Sequence, residues 1–160
     1  HHTVVLQDEI LHININININ ININININMS ININTNGNSG VFLRVHDKGN
    51  EVQTGMEVQI LDHAEYDVPF TASNACGALY GLADPKVDAN NPIGEWNTFY
   101  IRMIGERVNI WLNGTKVVDN QVMENVWDRK QPIFREEQIE LQNHGQQLWF
   151  KNVFVRELPY

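Results

Sequence analysis

A carboxylate and an amide alternate with apolar residues in Gly55-Met56-Glu57-Val58-Gln59-Ile60-Leu61-Asp62. If Val58 and Ile60 face a core, Glu57 and Gln59 project together from the other face, with Asp62 just past the strand end. The turn Gly37-Asn38-Ser39-Gly40 opens directly into Val41 to Arg44, where Phe42 and Arg44 share a face. Leu141-Gln142-Asn143-His144-Gly145 ends a third strand with an amide and an imidazole. Were these strands neighbours in one sheet, Arg44, Glu57, Gln59, Gln142 and His144 would line one polar surface, with Asn38 at its edge. Such a surface suits a sugar, whose hydroxyls take paired donors and acceptors while Tyr80, Trp96 or Trp111 covers the apolar face of the ring. The same alternation also describes a plain solvent-facing strand, and His144, like His46 and His63, equally describes a solvated histidine. No glycine-rich phosphate loop, H-E-x-x-H pair or nucleophile elbow occurs.

The elements that would position these groups are short strands. Asn97 to Met103 alternates, with Phe99, Ile101 and Met103 on one face and Tyr100 and Arg102 on the other. Ile104-Gly105-Glu106 turns the chain, and Val108, Ile110 and Leu112 repeat the apolar face. Asn113-Gly114 then predicts a type I′ hairpin turn, because both residues tolerate positive φ, and Thr115 to Asp119 reads as the return strand. Further strands are predicted at 40–46, 56–61, 138–142 and 148–156. No segment keeps a 3.6-residue apolar stripe, and 121–130 reads as a helical turn at most. The fold class is therefore all-β, a sandwich or barrel of antiparallel strands. The polar, turn-rich stretch from Asp62 to Pro92 is long for a connection and reads as a wall or lid over a site.

At 160 residues the chain is long enough for one sizeable core, and a single domain over 1–160 is expected. Its composition, 42% hydrophobic and 19% charged, is that of globular proteins, and its apolar runs are too short for a helical membrane span. A net charge of -8 argues against nucleic acid and anionic membrane surfaces as partners. Cys76 is alone, so no internal disulfide is expected, and the thiol reads as a small buried group. The start at His1-His2, without Met or a signal-type apolar segment, reads as a mature or trimmed form.

The segment from Ile13 to Asn34 alternates Ile and Asn, interrupted only by Met29-Ser30. As one strand its 22 residues would extend about 70 Å, whereas a domain of this length is only about 40 Å across. The run must bend between sheets, fold into a hairpin or project. Whole dipeptides added to a strand keep its inner and outer faces in phase, so the run is expected to lengthen one N-terminal strand without inverting it. A folded-back portion would supply an N-terminal strand. An Asn ladder also suits ice or a crystalline polysaccharide, and repeat expansion or design accounts for it without function. An uncharged, Pro-free strand of this kind invites self-association through its edge.

In order, GNSGVFLRV, GMEVQILD, GALYGL, GEWNTFYIRMIGERVNIWLNGTKVVD and IELQNHGQQLWFKNVFVREL resemble the 3-keto-disaccharide hydrolase domain family. The resemblance spans about Asn38 to Leu158. It implies a concanavalin A-like jelly-roll β-sandwich, a glycoside ligand, hydrolysis or lyase-type cleavage of sugars oxidised at the 3-position, and a secreted, periplasmic or cell-surface location. A carbohydrate-binding module without turnover, or a scaffold without ligand, are the alternatives. On matching positions it makes Glu57 or His144 the base, or the ligands of a divalent metal. Arg44 and Gln59 become orienting or oxyanion groups, Tyr80 an acid or stacking ring, and Asn38, Trp96 and Gln142 further sugar contacts. Two places depart from the pattern. Asn143 stands where the family usually has Asp, which removes a carboxylate beside His144, and Glu137-Gln138-Ile139-Glu140 replaces a Gly-Pro-Ile-Gly-like approach. The family's opening segment, with an N-terminal strand that pairs near the C-terminus, is expected to be missing ahead of His1.

Overall fold

The computed structural model describes residues 3–6, 10–11, 15–17, 24–47, 49–134 and 138–159. Two antiparallel sheets face each other across a shared apolar core. In chain order the strands are β1 (Thr3–Leu6), β2 (Ile10–Leu11), β3 (Ile15–Ile17), β4 (Ile25–Ile33), β5 (Asn38–Val45), β6 (Met56–Leu61), β7 (Trp96–Ile104), β8 (Arg107–Leu112), β9 (Thr115–Val122), β10 (Gln138–Leu141) and β11 (Leu148–Glu157). A seven-stranded sheet runs β1-β11-β4-β7-β8-β9, with β2 also on β11, and a four-stranded sheet runs β3-β10-β5-β6. The one described helix is a single turn, α1 (Glu51–Thr54), which the sequence pattern did not announce.

Period-two patterning explains the larger sheet. Along β4 every Ile, together with Met29, is at most 2% exposed, while Asn26, Asn28, Ser30 and Asn32 lie on the other face. Register aligns Val155, Ile27, Ile101, Ile110 and Val118 across five strands, so one apolar row crosses the sheet. Burying each such side chain contributes about 1.5–3 kcal/mol, which makes the Ile/Asn run a principal source of core. Turn chemistry holds as well. Asn113 and Gly114 both have positive φ, 50° and 80°, and join β8 to β9. The Asn113 amide is fully engaged: Nδ2 donates to Ala89 O and Asn97 Oδ1, and Oδ1 accepts from Thr98 N.

Three expectations change. The run does not lengthen a single strand: its described residues form β3 in the smaller sheet and β4 in the larger, so the chain changes sheets inside the repeat, one of the three outcomes that the length limit allows. Residues 12–14 and 18–23 of that region lie outside the described residues. An N-terminal strand is present ahead of the run, since β1 pairs with β11 from Thr3↔Arg156 to Leu6↔Val153. No helical turn occupies 121–130; β9 continues to Val122 and a loop follows.

Among the described residues no helix is long and apolar enough to cross a membrane.

Candidate functional site

The polar face proposed from the sequence assembles on the outer side of the four-stranded sheet. Register sets Phe42 between Glu57 on β6 and Glu140 on β10, and Gly40 beside Gln59. The core takes Val41, Leu43, Val58, Ile60, Ile139 and Leu141, so parity turns the intervening residues outward. A cavity of about 350 Å³ opens over this face, and its lining includes Asn38, Glu57, Gln59, Tyr80, Gln142 and His144.

The long 62–95 connection forms a wall of this cavity. Its 77–80 segment adds itself to the free edge of β6: Gln59 N donates to Ala78 O (3.0 Å), Gly77 N to Gln59 O (2.8 Å) and Tyr80 N to Glu57 O (2.9 Å). These bonds cover an edge that would otherwise invite pairing, and they fix Tyr80 beside Glu57. Buried Asp62 serves the fold rather than the cavity. Its carboxylate accepts from Asn36 N and Glu65 N, and its own N–H donates to Gly37 O, which clamps the turn entering β5.

Glu57 is the chemically unusual group. Burial alone pushes its carboxyl from 4.5 up to about 7. No hydrogen bond or ion pair among the described residues engages that carboxyl, and the ring of Phe42 lies in the same cross-strand row. The carboxyl folds back over Gly40, where an added Cβ would sit 2.2 Å from Oε1 and 2.7 Å from Cγ. Gly40 is thus the space in which the Glu57 side chain rests.

The amides divide their work. Gln59 is only 4% exposed, and its Nε2 is directed at Asn38 Oδ1 (3.0 Å), Ser39 O (3.3 Å) and Ile60 O (3.3 Å). With two hydrogens and three protein acceptors, that nitrogen has no donor left for a ligand, so the expected oxyanion role for Gln59 gives way to a positioning one. Its bond to Asn38 Oδ1 leaves the Nδ2 half of Asn38 as the donor at the cavity. Gln142 is pinned through its backbone, donating to Gly40 O (2.9 Å) and accepting from Ser39 Oγ (2.7 Å). Its Oε1 is buried and has no hydrogen-bond partner among the described residues. Exposed His144 joins the rim from the loop after β10, where Asn143 Oδ1 accepts from Gly145 N (3.0 Å) and closes the turn.

Three expected residues lie elsewhere. Arg44 is 2% exposed and does not line the cavity. The β5–β10 register shifts between Gln138 and Glu140, and Arg44 takes φ 55° opposite this irregularity. Its guanidinium donates to Gly105 O in the β7–β8 turn, tying the two sheets together. Trp96 opens β7 in the other sheet, with the Lys151 ammonium 3.5 Å from its ring centroid, and Trp111 lies 5.0 Å from Tyr100 on that same sheet. The rings at the cavity are instead Phe42, Tyr66, Tyr80 and Trp127. Tyr66, Asn74 and Trp127 were missed because they come from loops, where no periodicity marks a face; a large aromatic in an otherwise polar loop was the available signal for Trp127.

For a divalent metal, Glu57 and His144 are the donors present at the cavity. Among the described residues no group of three or more His, Cys, Asp or Glu is placed to hold an ion.

A family model for the 3-keto-α-glucoside-1,2-lyase-like domain matches residues 18–156. A candidate glycosyl hydrolase from Parabacteroides distasonis ATCC 8503 superposes with a TM-score of 0.72 at 25% identity, covering 86% of this chain and 73% of that one. A second structure so described, from the same organism, also reaches 0.72, at 21% identity, over 98% and 83%. The carbohydrate-binding module CBM66 from Bacillus subtilis shares the fold, with a TM-score of 0.56 at 15% identity over 95% and 97% of the two chains. No curated protein sequence matches this chain.

Proposed function

We propose, from the premise that the chain belongs to the 3-keto-α-glucoside-1,2-lyase-like domain family, that its cavity cleaves glycosides oxidised at the 3-position, with Glu57 as the base. At the coarser level the domain is a glycosyl-hydrolase-like or carbohydrate-binding one. The finer reading rests on one observation: a carboxyl raised to about 7 by burial, held over Gly40 in a cavity lined with amides and aromatic rings.

The chemistry asks for one base rather than a flanking carboxylate pair. A 3-keto group acidifies the C2 proton. Glu57 takes that proton, and the C2–H electron pair forms the enolate on O3. The enolate then collapses to a C1=C2 double bond and expels the anomeric oxygen, which leaves with a proton. Addition of water across C1=C2 completes a net hydrolysis, whereas release of the unsaturated ketone makes the enzyme a lyase. Raising the carboxyl toward 7 strengthens it as a base while keeping much of it ionised near neutral pH. Asn38 Nδ2 is the amide donor for sugar oxygens, and Gln142 Oε1 accepts a hydroxyl. Tyr80, fixed beside Glu57, supplies the ring face or the proton for the leaving oxygen, and His144 stands at the rim for the same proton. An extracytoplasmic location fits such a substrate.

Methyl 3-keto-α-glucoside is the test compound, with release of methanol followed in wild type, Glu57→Gln and His144→Ala. Turnover that falls about 100-fold or more in Glu57→Gln supports the reading. Saturable binding without turnover in wild type overturns it in favour of a binding module, the alternative favoured by the commitment of Gln59's donors to the protein and by Asn143 in place of Asp.

A further inference from the structure

Trp127 is 56% exposed, the most exposed of the large apolar side chains described, yet it lines the cavity. An indole in water gives up its largest source of stabilisation, so its position calls for an account other than folding. The loop that carries it is well fixed. Asn125 Oδ1 accepts from both Trp127 N (3.0 Å) and Asp128 N (2.9 Å), and Gln131 N donates to Asp128 O (2.9 Å). Arg129 pairs with Glu124 across the same loop. Val126 seats the loop against Gly81, where an added Cβ would meet Val126 Cγ1 at 2.8 Å, directly after Tyr80. The loop thus rests half-buried Val126 against Gly81 and presents the next residue, Trp127, to the cavity mouth, where Tyr80 and Tyr66 are also exposed, at 36% and 40%.

Depth assigns the ring its partner. Glu57 and Phe42 belong to the sheet that floors the cavity, so the sugar losing its C2 proton must sit on that floor. At about 350 Å³ the cavity is near the lower end of ligand sites, about 300–1,000 Å³, and it opens at a mouth rather than closing over its contents. Whatever is bonded to the anomeric oxygen must then leave through the mouth. We propose that Trp127 is a specificity-determining residue, the platform on which the leaving group stacks, and that it selects glycosides whose leaving group is itself a sugar ring over those with a small alkyl group.

This inference rests on the cleavage reading above and deepens it. The experiment compares a 3-keto-α-glucosyl disaccharide with methyl 3-keto-α-glucoside in wild type, Trp127→Ala and Trp127→Phe. The ratio of kcat/KM for the disaccharide to that for the methyl glycoside is expected to fall about tenfold in Trp127→Ala, mostly through KM, and to recover in Trp127→Phe. An unchanged ratio in Trp127→Ala, with both substrates active, overturns the role of Trp127 and leaves the cleavage reading standing. Wild-type protein that turns over neither compound overturns the cleavage reading and this inference with it. Circular dichroism of each variant separates loss of fold from loss of selectivity.

Discussion

Strands β4 and β6 carry nearly the same pattern and put it to opposite uses. In β4 the sequence ININMSINI buries one face completely and leaves the Asn residues on an outer face with neighbouring strands on both sides. In β6 the sequence MEVQIL buries Val58 and Ile60 in the same way, but Gln59 is also buried and Glu57 is partly so. The difference lies in what covers the polar side. Along β4 the described loop contact is confined to its last residues, where Gly94 N donates to Ile33 O (2.9 Å) and Asn32 Nδ2 to Gly94 O (2.7 Å), whereas β6 is overlaid by the 77–80 segment and faces the loop that carries Val126 and Trp127. Alternation alone builds a sheet. Alternation under a lid desolvates a carboxylate and turns a surface into a cavity.

Substitutions on the two strands separate these uses. Ile27→Asn places an amide in the fully buried row on β4 and is expected to destabilise the fold by about 4–5 kcal/mol, seen as a lowered denaturant midpoint with an unchanged slope.

Glu57→Gln on β6 is expected to act with the opposite sign. The folded state holds the proton of Glu57 up to about pH 7, whereas the unfolded chain releases it near 4.5, so wild-type stability falls as pH rises through that window. Removing the ionisable group recovers up to about 3 kcal/mol at pH 8 and nothing at pH 4. Denaturant unfolding at the two pH values checks this, and a variant less stable than wild type at pH 8 would mean that the carboxylate has a stabilising partner.

Gly40→Ala tests the space over which Glu57 folds. The new Cβ would collide with the carboxyl, and the displaced base is expected to lose about 100-fold in turnover, with a smaller change in stability. Asn28→Thr on the outer face of β4 sets the floor of the comparison, with stability within about 0.5 kcal/mol of wild type and turnover unchanged.

The fold was legible where local signals are unambiguous. The alternation at β6 to β8 and the positive-φ pair Asn113-Gly114 set strand edges and a turn that the structure reproduces within about two residues. Glu57, Gln59 and Asn38 came together at one cavity because parity is written in short strands, while Tyr80 reaches it from the segment paired along β6 and Gln142 and His144 from the loop after β10. Arg44 escaped because nothing in the sequence announces a positive φ at a non-glycine residue within a strand. Trp96 has the parity of Tyr100 and Arg102, which correctly put it off the core, but parity does not say which sheet a strand joins. The path of the Ile/Asn run was hidden for a related reason: identical dipeptides satisfy either sheet equally, so pattern cannot mark where the chain crosses from one to the other.

The central claim is that burial under the loops makes Glu57 the base, and the pH dependence of kcat/KM for methyl 3-keto-α-glucoside tests it most directly. The account predicts a rate that climbs with pH, about tenfold per unit below the bend, and levels off near pH 7, where Glu57 of the free enzyme loses its proton, with this limb absent in Glu57→Gln. A Glu57→Gln variant that keeps both the wild-type rate and the wild-type limb would contradict it.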